Sequence, residues 1–239
     1  MAGVIVTGAD RGLGLSLCKE YLKRGWLVFA GKYLDDYTLL EDLRKKNPNL
    51  LHIIRLDTGC PDSIVAARAE VLKRTDSLDM LIANAALLPS PQYNEPPIDP
   101  ELVWNYFRIN ALGPLHLTEF FLPLLDKSMM KRLCFVSSEV SSIVLMKHRT
   151  IGPCPYPISK TALNMGVRIL HNQLYAQGYT FRLFHPGWMK HRMQDGSLFE
   201  EGLYDPDYIG DIAARYFETP LRDEHRLVMV DYNGYEWTF

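Results

Sequence analysis

Seven short apolar runs punctuate the chain: VIVT at 4–7, LVFAG at 27–31, LHIIRLD at 51–57, MLIANA at 80–85, LCFVSS at 133–138, FRLFHPG at 181–187 and LVMVD at 227–231. They are rich in Val, Ile, Leu and Phe and do not alternate strictly with polar residues, the pattern of strands covered on both faces. Between them, apolar positions recur with a helical period over 13–24, 37–46, 61–74, 99–127, 157–177 and 207–219. The 99–127 stretch carries Gly113-Pro114, which predicts two helices or one kinked helix. Alternation of strand and helix along the whole chain predicts one α/β domain over residues 1–239. Its core is a doubly wound, mainly parallel sheet of seven strands with helices on both faces. The proline-rich stretch at 87–100 reads as a loop, too short for a domain linker. Ligands of such sheets bind beyond the carboxyl ends of the strands, so the residues just after each run carry the interest.

The first run is followed by TGADRGLG, residues 7–14, with glycines at 8, 12 and 14. Glycine permits a tight turn and a close approach of backbone to phosphate, and the helix behind it offers free N–H groups and a positive dipole end. The spacing is G-x-x-x-G-x-G, not G-x-G-x-x-G. A glycine-rich turn with no ligand is the competing reading, weakened by the position at the first strand–helix junction.

In PCPYPISK, residues 153–160, three prolines surround Tyr156, and Lys160 follows four positions later. Pro157 suits a first helical position, and Pro153 and Pro155 keep the preceding chain extended. Tyr156 and Lys160 then share one helical face. An isolated pair of this kind is more simply a packing tyrosine and a solvated lysine. Chemistry sets a harder condition. A free tyrosine ionises near pH 10, and work near neutrality needs about 4 kcal/mol in favour of its phenolate. An ammonium about 4 Å away supplies about 4 kcal/mol at an effective dielectric of about 20, and about 1 kcal/mol in bulk water. Lys160 tunes Tyr156 only in a sheltered site.

Composition narrows the classes. Of 239 residues 47% are apolar and 23% charged, with a net charge of -2, so no bulk charge points to nucleic acid or an anionic membrane. The cysteines at 18, 60, 134 and 154 form no C-x-x-C pair, which argues against a metal site and against a disulfide framework. No basic leader precedes the first apolar run, and no apolar stretch reaches bilayer length, so the expectation is a soluble, cytoplasmic protein.

Taken together the motifs resemble the short-chain dehydrogenase/reductase family over nearly the whole chain. TGADRGLG looks like its T-G-x-x-x-G-x-G loop, ANAA at 83–86 is similar to N-N-A-G, and YPISK matches Y-x-x-x-K. Asn110 matches its asparagine, Ser138 its serine, Asp57 its adenine-contacting aspartate and HPGWMKHRM at 185–193 its P-G segment. The resemblance implies a Rossmann-like fold and a nicotinamide cofactor, with hydride passing to or from a substrate carbon. Tyr156 is then the general acid/base, Ser138 steadies the substrate oxygen, Lys160 lowers the tyrosine pKa and holds the nicotinamide ribose, and Asn110 positions a water leading to solvent. Cofactor contacts are implied for Thr7, Gly8, Asp10, Arg11, Gly12, Leu13, Gly14, Lys32, Asp57, Thr58, Asn84, Ala85, Ala86, Asn110, Tyr156, Lys160, Pro186, Gly187, Met189 and His191.

The chain departs from the family pattern at four points. Ala83 and Ala86 replace the first asparagine and the glycine of N-N-A-G. Eighteen positions separate Ser138 from Tyr156, a long spacing that leaves Ser137, Ser141 and Ser142 as weaker alternatives for the serine. After Pro186-Gly187, His191 stands where the family often has threonine, either as a cofactor contact or as a surface histidine.

The second run ends FAGKY, so Lys32 lies where an NAD site places a carboxylate, and Arg11 reaches the same space. Two cations favour the 2′-phosphate of NADP(H), with NAD(H) possible through Asp35 or Asp36 should the strand run longer. Loops 87–100, 139–155 and 188–206 border the substrate; the last carries Trp188, Met189, Met193, Leu198, Phe199 and Tyr204, an apolar lid. The expected partner is a small carbonyl or alcohol compound, with a lean toward hydrophobic or aromatic ones. Self-association as a homodimer or homotetramer is expected, and the apolar end YNGYEWTF suits a subunit contact or a cover on the core. A non-catalytic NADP(H) sensor on the same fold is the rival, disfavoured because a sensor needs none of the proton-transfer groups.

Overall fold

The computed structural model describes residues 1–88, 99–146, 155–192 and 198–239. All seven apolar runs form strands: β1 (Gly3–Val6), β2 (Leu27–Lys32), β3 (Leu51–Arg55), β4 (Met80–Ala83), β5 (Arg132–Val136), β6 (Thr180–His185) and β9 (Met229–Asp231). The sheet has eight strands rather than seven. Its order is β10-β9-β6-β5-β4-β1-β2-β3, and every neighbouring pair is parallel except the one at the edge, where β10 (Glu236–Trp237) lies antiparallel on β9. The tail, expected as a subunit contact or a cover on the core, is a hairpin that turns at Gly234 with φ +83° and packs Trp237 and Phe239 against the core. Asp231 holds the turn by accepting the amides of Asn233 and Tyr235 and the Trp237 indole N–H.

Side chains of successive strand residues enter two separate cores. Ile5, Phe29, Leu81, Leu133, Phe135 and Leu183 face helices α3 (Pro61–Leu72), α5 (Gly113–Leu125) and α6 (Pro155–Leu174). Val4, Val6, Val28, Ala30, Met80 and Phe184 face α1 (Gly12–Lys23) and α7 (Pro206–Glu218), with Leu40 of α2 (Leu39–Lys46) at the margin. Burial on both faces explains why these strands read as unbroken apolar runs.

The Gly113-Pro114 region resolves into something the sequence pattern does not contain. α4 (Pro100–Phe107) runs through a π turn (Arg108–Leu112) directly into α5. The glycine is needed because a Cβ at Gly113 would lie 2.6 Å from the Thr58 carbonyl oxygen. Within the region expected to form the lid, β7 (His191–Arg192) and β8 (Leu198–Phe199) form a small antiparallel ribbon. Met193 lies outside the described residues, as do most of the 87–100 loop and the 147–154 part of the loop before Tyr156.

Several predicted strands overrun the observed ones at the carboxyl end: β3 stops at Arg55, β4 at Ala83, β5 at Val136 and β6 at His185. The residues beyond, still apolar or β-prone, have left the ladder and enter loops. Those loops meet at the β1/β4 point where the strand order reverses, the place such sheets bind ligands.

Candidate active site

The glycine loop is a cradle of bare backbone. Gly8 and Gly12 have φ +61° and +54°, a region glycine adopts without strain. A Cβ at Gly14 would lie 2.2 Å from the Gly8 carbonyl oxygen, so the loop and the start of α1 close up only around glycine. Around Gly12 nothing lies within 4 Å of where a Cβ would be, and α1 has no side-chain cap. An open approach to uncapped helix N–H groups is what a pyrophosphate requires. Leu13 turns its side chain into the core, leaving its backbone for a ligand.

The loop after β4 locks onto this cradle. Thr7 Oγ1 accepts the amides of Asn84 (3.0 Å) and Ala85 (2.9 Å), while Asn84 Nδ2 donates to the carbonyls of Thr7 (2.8 Å) and Gly8 (3.2 Å). Ala85 packs where a Cβ on Gly8 would come within 2.8 Å of its Cα, and Ala86 follows half-buried. The buried carboxylate of Asp10 accepts the amides of Tyr33 (2.9 Å) and Leu34 (3.0 Å), tying the cradle to the end of β2. Burial raises its pKa above the ordinary carboxylate value, against the lowering effect of those amides.

The cations near β2 divide. Lys32 is paired with Glu41 at 2.6 Å, so its charge is already answered. Asp35 is held by Arg55, also at 2.6 Å, and not turned into the cradle. Arg11 donates from Nη1 to the Tyr37 hydroxyl at 3.1 Å, with its guanidinium 5.4 Å from the centre of the Tyr37 ring. Asp57 accepts the Gly59 amide at 2.8 Å, shaping the turn after β3, and Thr58 is buried with its carbonyl against Gly113.

Across the switch point, the amino-terminal turns of α6 bring Tyr156 and Lys160 together. Lys160 is buried, and its Nζ donates to the Val136 carbonyl at 2.8 Å and sits 5.8 Å from the centre of the Tyr156 ring. Burial alone pushes its pKa down, to about 8. The shelter that the charge argument demanded is therefore present. Asn110, fully buried in the π turn, uses its side chain to fix the wall: Oδ1 accepts the Leu87 amide (2.7 Å), and Nδ2 donates to the Leu87 carbonyl (2.9 Å) and to Ser159 Oγ (3.1 Å). Ser159 in turn donates to the Tyr156 carbonyl at 2.7 Å.

Ser138 follows β5 at the same end of the sheet, half-buried, its Oγ in reach of the Val140 amide at 3.4 Å. The other serines are spoken for: Ser137 and Ser141 are buried in a network with Asn164, and Ser142 bonds the Thr238 carbonyl. Pro186 is buried after β6, and Gly187 turns with φ +76° beneath Tyr232. Met189 pairs with Tyr204 as an isolated bridge, and the Tyr204 and Tyr232 hydroxyls meet at 2.7 Å, so the proposed lid is fastened at its base. The backbone of His191 pairs with Phe199 in the ribbon.

Two neighbours escaped the sequence reading. Tyr106 stands edge-on to Tyr156, ring centres 6.4 Å apart, and donates to the Leu88 carbonyl at 2.9 Å. Ser159 links Asn110 to the tyrosine. Both sit at helical spacing from motif residues, four before Asn110 and three after Tyr156, the one signal that pointed to them.

A family profile described as short chain dehydrogenase matches residues 2–201. An uncharacterized oxidoreductase of Schizosaccharomyces pombe is 35% identical over 196 residues, covering 81% of this chain and 76% of its own. Among solved structures, the NADPH-bound carbonyl reductase from chicken fatty liver superposes with a TM-score of 0.85 at 27% identity, covering 100% of this chain and 99% of its own. A short-chain dehydrogenase/reductase from Burkholderia multivorans with bound NADP gives 0.80 at 26% identity, with coverage of 100% and 99%.

Proposed function

Since the chain belongs to the short-chain dehydrogenase/reductase family of oxidoreductases, we propose that it is an NADP(H)-dependent enzyme acting on a small carbonyl or alcohol substrate. The observation that carries this is the buried Lys160 ammonium beside the Tyr156 ring. Buried as it is, an ammonium on that side of the ring stabilises a phenolate more strongly than it would in water. A buried cation is costly to keep unless it serves a charge that comes and goes, and the phenolate of Tyr156 is that charge.

A bound nicotinamide dinucleotide supplies or takes the hydride. The chain's own residues do the rest. The glycine cradle and the start of α1 hold the pyrophosphate. Tyr156 gives its phenolic proton to the substrate oxygen during reduction, or takes one during oxidation. Ser138 donates a hydrogen bond to that oxygen and steadies its charge. Lys160 stabilises the phenolate left on Tyr156, and Asn110, through Leu87 and Ser159, keeps the wall beside it in register. Apolar Trp188 and Met189 border the substrate side, in keeping with a hydrophobic or aromatic carbonyl compound.

The preference for NADP(H) rests on Arg11, whose planar guanidinium with the Tyr37 hydroxyl beside it suits a 2′-phosphate. The two solved relatives named above, with NADPH and NADP bound, support it. The test is NADPH oxidation across a panel of aromatic and aliphatic carbonyl compounds, with cofactor dissociation constants beside it. Tyr156→Phe should lose at least about 100-fold in turnover, as expected for removal of a general acid, while keeping NADPH affinity. Arg11→Ala should weaken NADPH selectively over NADH. Near-normal turnover in the first variant, or equal loss of both cofactors in the second, removes the corresponding assignment.

A further inference from the structure

Behind Ser138, the buried amide of Asn164 holds both flanks of the serine turn. Asn164 lies one helical turn beyond Lys160 on α6. Its Oδ1 accepts from Ser137 Oγ at 2.7 Å, and its Nδ2 donates to Ser141 Oγ at 2.8 Å. Ser141 Oγ passes the chain on to the Ser138 carbonyl at 2.5 Å. All three side chains are buried: Ser137 2%, Ser141 1% and Asn164 2% exposed. Two further bonds run from the same helix to the same segment, Lys160 Nζ to the Val136 carbonyl (2.8 Å) and Thr161 Oγ1 to the Ser141 carbonyl (3.1 Å). Segment 136–141 is thus pinned at its start, at Ser137 and at its end by consecutive turns of the helix that carries Tyr156.

We propose that Asn164 is a positioning residue that sets Ser138 against Tyr156 by fixing the 137–141 turn to α6. A side-chain amide is suited to this, since it accepts on one side and donates on the other at fixed separation. A fully satisfied buried network specifies one arrangement, and a network missing its central member leaves buried hydroxyls without partners. The catalytic consequence rests on the assignment of Ser138 to the substrate oxygen; the mechanical consequence does not.

Two measurements separate them. The first is amide hydrogen exchange on Asn164→Leu, which keeps the volume and deletes both bonds. Exchange of the Ser141 amide, bonded to the Ser138 carbonyl at 3.0 Å, should speed up by about 10-fold or more, with NADPH affinity within about twofold of the parent. Should that variant not fold, Ser141→Ala cuts the same link from the other partner and is read the same way. Unchanged exchange in the folded variant overturns the proposal. The second is turnover with NADPH and 4-nitrobenzaldehyde. Asn164→Leu should lower kcat about 10-fold or more with KM little changed, and Ser138→Ala combined with Asn164→Leu should be no slower than Ser138→Ala alone. Losses that multiply in the double variant overturn it, because Asn164 then acts elsewhere. If Ser138→Ala retains its turnover, the role of Ser138 falls, and the exchange result still decides the role of Asn164.

Discussion

Lys160 is a residue whose usefulness conflicts with its comfort. Burial lowers its pKa from 10.5 to about 8, which amounts to about 3 kcal/mol against the charged form. Between pH 8 and pH 10.5 the unfolded chain binds a proton that the folded chain does not, so this lysine's contribution to stability rises with pH across that window; below it, the full penalty applies. Lys160→Met should therefore be at least as stable as the parent at pH 7, with any advantage shrinking as pH rises, yet turn over at background rate. Thermal melts at pH 7 and pH 10 beside an activity assay check this, and a variant melting far below the parent at pH 7 would contradict it. The parent's turnover should fall as pH rises through about 8, where Lys160 loses its charge. The sequence could name Lys160 and Tyr156, because their spacing places them on one helical face. It could not tell a solvated lysine from a buried one, since burial depends on the Val136 carbonyl and the strands that cover it. Lys32 shows the opposite outcome: a cation in the right stretch whose charge is taken by Glu41, a pairing made only when α2 packs beside β2.

At the scale of elements, the glycine turn gives the sharpest contrast. Gly12 has a left-handed backbone in open space, so Gly12→Ala meets only conformational strain, about 1 kcal/mol. Gly14 has no such backbone, but an added Cβ would strike the Gly8 carbonyl at 2.2 Å and force the loop from α1. Overpacking of this kind costs about 1–3 kcal/mol or more. Gly14→Ala should lower the melting temperature of the cofactor-free protein more than Gly12→Ala does, and calorimetry on the two variants decides it. Elements were legible where periodicity alone defines them, and less so at their ends. Strands β3 to β6 stop earlier than their apolar runs because the chain must leave the ladder to build loops. The π turn was invisible because RINALG has no composition of its own; its extra residue per turn is held by Asn110 on Leu87 and Ser159 and by the contact of Gly113 with Thr58. The β10 hairpin, by contrast, has a local mark in the sequence, Asn233-Gly234, a pair that favours a tight turn.

For the whole molecule, α6 presents a second face. Ile158, Met165 and Ile169 are about half exposed, on the side away from the buried stripe of Leu163 and Val167. Apolar residues aligned on one helix and open to water favour association, and a two-fold partner presenting the same helix is the simplest way to cover them. Self-association is the expected outcome: light scattering at micromolar concentration should give a mass at least twice 27.4 kDa. Met165→Lys with Ile169→Lys should shift it toward the monomer. A 27.4 kDa particle from the unmodified chain across that range would exclude it. Among the described residues no helix is long and apolar enough to cross a membrane.

The sequence by itself determined the class of fold, the order of its main elements and the placing of Tyr156 and Lys160 on one helical face. Each follows from patterns local in the chain: apolar runs, helical spacing, glycines at a strand–helix junction, prolines at a helix start. The tertiary structure decided what those residues experience. It added an eighth strand at one edge of the sheet, drew Lys32 and Asp35 into ion pairs, turned Asp10 onto the amides of Tyr33 and Leu34, and buried Lys160. It also gathered Ser137, Ser141 and Asn164 behind Ser138. Most of these contacts join residues well separated in the chain, and their energies depend on burial and distance, quantities that exist only once the strands and helices are side by side.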